Sequence, residues 1–133
     1  MSGHEEAKEL LAAAGKDLRA LKGMTDAEEF AEEIFGFHAQ QAVEKTLKSW
    51  IASFDKEYPL KHDLRLLLIQ LEDMQCDIKD LWDFVDLNAF AVQLRYAGYV
   101  SSEDRLDRHE MMNRIQTLYD RVKNIIDEKG HGI

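Results

Sequence analysis

Between Thr25 and Asp55 the chain reads TDAEEFAEEIFGFHAQQAVEKTLKSWIASFD. Thr25 followed three residues later by Glu28 is a capping-box pattern, in which each side chain satisfies an orphan N–H of a helix's first turn, so a helix is expected from Thr25 onward. Behind it the apolar residues fall on two neighbouring stripes. Phe30, Ile34, Phe37, Leu47, Ile51 and Phe54 form one, and Phe35, Ala39, Ala42 or Val43, Thr46 and Trp50 form the other. An apolar arc that wide predicts packing partners on more than one side, as for the central helix of a bundle. Gly36 inside it costs about 1 kcal/mol against alanine, which suggests a close helix contact or a bend. The polar interruptions His38, Gln41 and Lys45 are where function is sought.

Working outward, Ala7, Leu11, Ala14, Leu18 and Leu21 recur at steps of three and four, predicting a first helix over Glu5–Leu21 with one narrow apolar seam. Gly23 ends it. After Phe54, the chain's single proline, Pro59, disfavours helix at Tyr58 and marks a connection. A short helix is expected over His62–Met74, with Leu64, Leu67, Leu68 and Leu71 inward and Asp63 in its first turn, where its charge suits the helix dipole. A fourth helix is expected over Ile78–Tyr96, on the stripe Ile78, Leu81, Val85 and Val92. Trp82 and Phe90 lie off that stripe and are expected to find cover across a subunit boundary. A last helix is expected over Glu103–Lys129, capped by Ser101 and Asp104. With no strand alternation and no repeat period, the fold class is all-α: an antiparallel up-and-down bundle of four to five helices, in a single domain over 1–133.

The totals narrow the function. At 133 residues with 45% hydrophobic content, the chain can bury a core. Its net charge of −9 argues against adhesion to nucleic-acid backbone or anionic membrane over a broad surface. The lone Cys76 rules out an internal disulfide and a multi-cysteine zinc site, consistent with a reducing cytoplasm. Neither a signal peptide nor a membrane-length apolar run is visible, so a cytoplasmic protein is expected.

His38, Gln41 and Lys45 occupy i, i+3 and i+7 and share a face. They either form a donor-rich surface for a phosphate or carboxylate, or are an ordinary half-buried histidine and a rim lysine with a snorkelling stem. Asn88 and Arg95, also seven apart, fall on the inward stripe, where a guanidinium needs an internal carboxylate, carbonyls, a subunit or a ligand. His62 reads as a cap or packing residue. The series Asp73, Asp77, Asp80, Asp83 and Asp86 lacks calcium-loop spacing and reads as a solvated face. Phe35 and Leu106 occupy the places where a di-iron bundle needs glutamates, three residues before His38 and His109. No Gly-rich phosphate loop or nucleophile elbow is present. No metal or other cofactor is expected.

FHAQQAVEKTLKSWI (Phe37 to Ile51), His62-Asp63-Leu64 and LNAFAVQLRYAG (Leu87 to Gly98), in this order, resemble the HEPN domain family across almost the whole chain. The resemblance implies a helical bundle that commonly forms a homodimer and often works beside a small nucleotidyltransferase in two-component systems of the toxin–antitoxin kind. Other members are metal-independent ribonucleases, marked by Arg, four to six residues, then His. Arg95 is followed by YAGYVS and lacks that histidine, while Arg105 and His109 are separated by only three residues. The expectation is therefore a non-catalytic module that binds a nucleotide or its nucleotidyltransferase partner, with a ribonuclease toxin as the alternative. By position, the resemblance implies a cleft of His38, Gln41, Lys45, His62, Asn88, Arg95 and Tyr96.

Overall fold

The computed structural model describes residues 2–93 and 106–131. The elements run α1 (Gly3–Gly23), α2 (Glu32–Ala52), α3 (Leu64–Asp73), a 3₁₀ helix (Trp82–Leu87) leading directly into α4 (Asn88–Gln93), and α5 (Arg108–His131). Among the described residues there is no strand. The fold is an all-α bundle.

α2 is the central helix. It packs against α1, α3, α4, α5 and the 3₁₀ segment, and fourteen of its residues, from Phe35 to Ala52, are buried. The stripe of Phe35, Ala39, Ala42, Val43, Thr46 and Trp50 is covered along its length, whereas the other is covered only at Leu47 and Ile51: Ile34 and Phe37 are half-buried, and Phe30 and Phe54 are exposed. Full burial of a side chain such as Phe35, Leu47 or Ile51 contributes about 1.5–3 kcal/mol. α1 buries the seam Ala7, Leu11, Ala14, Leu18 and Leu21. Its N-terminus is capped by Ser2, whose hydroxyl accepts from the Glu5 N–H, and the Gly3 N–H donates to the Asp55 carboxylate. That bond places the start of α1 beside the end of α2, so the two helices are antiparallel. α5 begins where Arg108 reaches the α1–α2 connection and ends where Lys129 donates to the Ser53 carbonyl. It therefore runs alongside α2 in the same direction.

The chain departs from the sequence expectation at four places. α2 starts at Glu32, without a side-chain cap, and not at Thr25. The Asp26 carboxylate takes the Glu28 N–H instead, and Arg108 gathers the carbonyls of Met24, Asp26 and Phe30 at 2.8, 3.3 and 2.8 Å. A guanidinium holding three carbonyls of one connection outweighs a helical turn there.

Over its described residues, to Gln93, the expected fourth helix is a 3₁₀ segment leading into α4, and the rest of its expected span, to Tyr96, lies outside them. Ile78, Leu81, Phe84, Leu87 and Phe90 are buried at steps of three, the period of a 3₁₀ helix. Val85 is only half-buried.

Phe90 needs no second subunit, because it is 6% exposed and seated on Gly36 of α2. Trp82 is partly buried against the same core.

α5 begins at Arg108, where the Asp107 carboxylate caps it by accepting the Glu110 N–H. Ser101 and Asp104 lie outside the described residues.

Candidate functional site

The face shared by His38, Gln41 and Lys45 is organised by two carboxylates, Asp17 and Glu44. Asp17 lies among the inward positions of α1, between Ala14 and Leu21. Its side chain, 11% exposed, accepts His38 Nδ1 at 3.0 Å on one oxygen and Lys45 Nζ at 2.7 Å on the other. One carboxylate thereby spans two residues separated by two helical turns. Most of what an unpaired buried charge would cost is offset by this pairing. The His38 and Lys45 side chains are 31% and 30% exposed, so both also reach solvent. The edge of Phe37 packs on the His38 imidazole, with ring centroids 5.4 Å apart.

The second carboxylate is deeper. Glu44, with a side chain 4% exposed, accepts from the Gln40 amide at 2.9 Å, Lys48 Nζ at 3.0 Å, and His62 Nδ1 at 3.0 and 3.1 Å. Gln41 joins the chain by donating to Gln40 at 2.7 Å. A hydrogen-bonded path therefore runs from Gln41 through Gln40 and Glu44 to His62. Lys48 stands 5.3 Å over the Tyr58 ring, and burial, followed by the nearby Glu6 carboxylate that accepts its hydrogen bond, raises the Tyr58 hydroxyl pKa above its ordinary value. His62 is the outermost member, 67% exposed.

His62 owes its place to the turn that follows. Asp63 caps α3 by accepting the Arg65 N–H, and Asn88 completes the cap. Its side-chain carbonyl accepts the Leu64 N–H at 2.9 Å, while its amide donates to Asp63 at 2.9 Å. Asn88, expected to face a ligand, thus holds the start of α3 and with it the loop bearing His62. Arg95 and Tyr96 lie outside the described residues, and with them the expected arginine-lined groove.

Of the residues nominated from sequence, the structure links Gln41 to His62 and joins His38 to Lys45. It attaches Asn88 to the base of the His62 loop. Asp17, Gln40, Glu44 and Lys48 were missed. Glu44 and Lys48 carry a legible signal, an i, i+4 acid–base pair in the favourable order. Asp17 carries only a weak one, a carboxylate on an apolar seam.

Among the described residues no group of three or more His, Cys, Asp or Glu is arranged to hold a metal ion. No described helix is long and apolar enough to cross a membrane. A cavity of about 270 Å³ lies between the 3₁₀ segment and α5, over Leu81, Phe84 and Leu118. Its arginines hold α5 in place: Arg114 forms a two-pronged pair with Asp83 and stacks on Phe84 at 4.4 Å. Arg121 stacks on Trp50 at 4.8 Å and donates to the Asp77 carbonyl. All five residues of the acidic series, Asp73, Asp77, Asp80, Asp83 and Asp86, are exposed.

The family model for the HEPN domain matches residues 7–125. No curated protein and no solved structure gives a significant match to the chain.

Proposed function

The chain belongs to the HEPN domain family, and on that premise we propose that it is a non-catalytic module that binds a nucleotide, or the nucleotidyltransferase partner that carries one. Its setting is a cytoplasmic two-component system of the toxin–antitoxin kind, in which it works as a homodimer. The site is the face of α2 bearing His38, Gln41 and Lys45, together with His62 and the segment containing Arg95 and Tyr96. Asn88 supports it from below.

The observation that carries this reading is the convergence of His38 and Lys45 on Asp17. The carboxylate fixes both cation-capable side chains on one half-exposed face, and fixed donors bind an anion with less ordering cost than mobile ones. Lys45 and Arg95 supply charge for the phosphate, and Tyr96 stacks on the base. Catalysis of RNA cleavage would require a base matched to the 2′-hydroxyl beside a phosphate-stabilising cation. Arg95 is not followed by the histidine of the ribonuclease motif within the required window, which favours binding over cutting.

Incubating purified protein with RNA in the presence of a chelator, beside an Arg95→Ala variant, tests the non-catalytic part. Intact RNA in both samples is expected. Cleavage that disappears with Arg95→Ala would overturn it in favour of the ribonuclease reading. Light scattering at micromolar concentration tests the homodimer, and a monomeric mass would remove it.

A further inference from the structure

Glu44 has a role beyond neutralising Lys48. An ionised carboxylate only accepts hydrogen bonds, so the contacts of 3.0 and 3.1 Å from His62 Nδ1 to its two oxygens place a proton on Nδ1. In the neutral imidazole that leaves a lone pair on Nε2, the ring's other nitrogen. The ring is anchored at one end to a carboxylate that is nearly sealed from water and is open at the other, with the side chain 67% exposed. Gln40 and Lys48 hold Glu44 from the remaining directions, so it cannot swing away to follow solvent. An exposed histidine with no such anchor would sample both tautomers and several rotamers.

We propose that His62 is the hydrogen-bond acceptor of the nucleotide site: its Nε2 takes a hydroxyl or amino hydrogen from the sugar or base, and Glu44 is the positioning residue that fixes the tautomer. This deepens the reading of the α2 face as a nucleotide site, on which it rests. It divides the ligand between two chemistries. Lys45 meets the phosphate as a donor, and His62 meets the nucleoside as an acceptor. An inorganic anion would exploit only the first.

Two measurements test this. Long-range proton–nitrogen correlation spectra of the full chain read the tautomer of His62 directly, at a pH where the ring is neutral. A protonated Nδ1 and bare Nε2 are expected, with Glu44→Gln, which offers an amide in place of one carboxylate oxygen, raising the population protonated at Nε2. Calorimetric titration then compares adenosine 5′-monophosphate with inorganic phosphate. His62→Ala is expected to weaken the nucleotide about tenfold, the loss of one good hydrogen bond, and to leave phosphate unchanged. Lys45→Ala is expected to weaken both.

A wild-type ring protonated at Nε2, or equal weakening of both probes by His62→Ala, would overturn the assignment while the nucleotide reading stands. Failure of the wild type to bind the nucleotide at all would overturn both. Since His62 is an exposed loop residue, its replacement leaves the core intact.

Discussion

The Phe90 ring lies directly on Gly36: a Cβ at that glycine would come within 2.2 Å of the Phe90 Cδ1 atom. The glycine in the middle of α2 is thus the seat of the α4 aromatic, and the contact joins the central helix to the element that leads toward Arg95. Alanine is the better helix former by about 1 kcal/mol, yet Gly36→Ala is expected to destabilise the protein, because overpacking a core costs about 1–3 kcal/mol. Denaturant titration should show a lower midpoint. Phe90→Leu should recover part of the loss in the double variant, and a non-additive cycle would confirm the contact.

Arg108 ties the opening of α5 to the connection between α1 and α2. It is 6% exposed, donates to the carbonyls of Met24, Asp26 and Phe30, and stacks on Phe35 at 5.2 Å. An ammonium lacks the planar fork that reaches three separated carbonyls. Arg108→Lys should therefore cost about 2–3 kcal/mol in denaturant unfolding. Hydrogen exchange at the Phe30 amide, which donates to the Asp26 carbonyl, should quicken.

Asp17 both orders and competes. It aligns His38 and Lys45 while neutralising charge that a phosphate would otherwise meet. Asp17→Asn keeps the shape and removes the charge. Stability should fall by about 1 kcal/mol, a modest loss because the partners are partly solvated. Affinity for adenosine 5′-monophosphate should rise about threefold or more, as Lys45 gives up a competing anion. Calorimetry on the variant measures the second effect, and a lower affinity would mean that the ordering function dominates.

Alkaline pH should destabilise the fold through two groups. Burial raises the Tyr58 hydroxyl from 10.0, assisted by Glu6, and burial also raises the Cys76 thiol from 9.0 against the opposing pull of Arg121 and Lys129. Both groups hold their protons more tightly folded than unfolded. Their contribution is therefore fully present below the ordinary values and is lost as pH rises through the higher folded ones. Unfolding midpoints measured upward from about pH 8 should decline less in Tyr58→Phe and in Cys76→Ser than in the wild type, set against an opposing gain from Lys129, whose pKa is lowered below 10.5 by burial.

Local pattern carried the bundle further than it carried the site. The seam of α1 and the Phe35–Trp50 stripe of α2 are legible because their apolar residues keep helical spacing, and α3 because its leucines do; the second α2 stripe overreaches at Phe30 and Phe54, which are exposed beyond the helix ends. The start of α2 is not legible locally, because Thr25 and Glu28 satisfy a local rule that Arg108, some eighty positions away in sequence, overrides through the backbone carbonyls. The run Ile78, Leu81, Phe84, Leu87 and Phe90 has a three-residue period in the sequence, but Val85 and Val92 complete an equally regular helical stripe with Ile78 and Leu81, so spacing alone does not choose between them. At the site, the donors on α2 stand out by their mutual spacing. Asp17 answers them from another helix, which spacing within one helix does not reveal. His62 reads from local pattern as a cap or packing residue and only the family resemblance puts it in the cleft; the capping falls to its neighbour Asp63 and to Asn88.

Calorimetric titration of adenosine 5′-monophosphate into the wild-type chain, Lys45→Ala and the exposed-lysine control Lys16→Ala tests the binding face most directly. Saturable heat is predicted for the wild type and the control, with affinity reduced about tenfold in Lys45→Ala. No heat at millimolar nucleotide, or binding untouched by Lys45→Ala, would contradict the assignment of the α2 face.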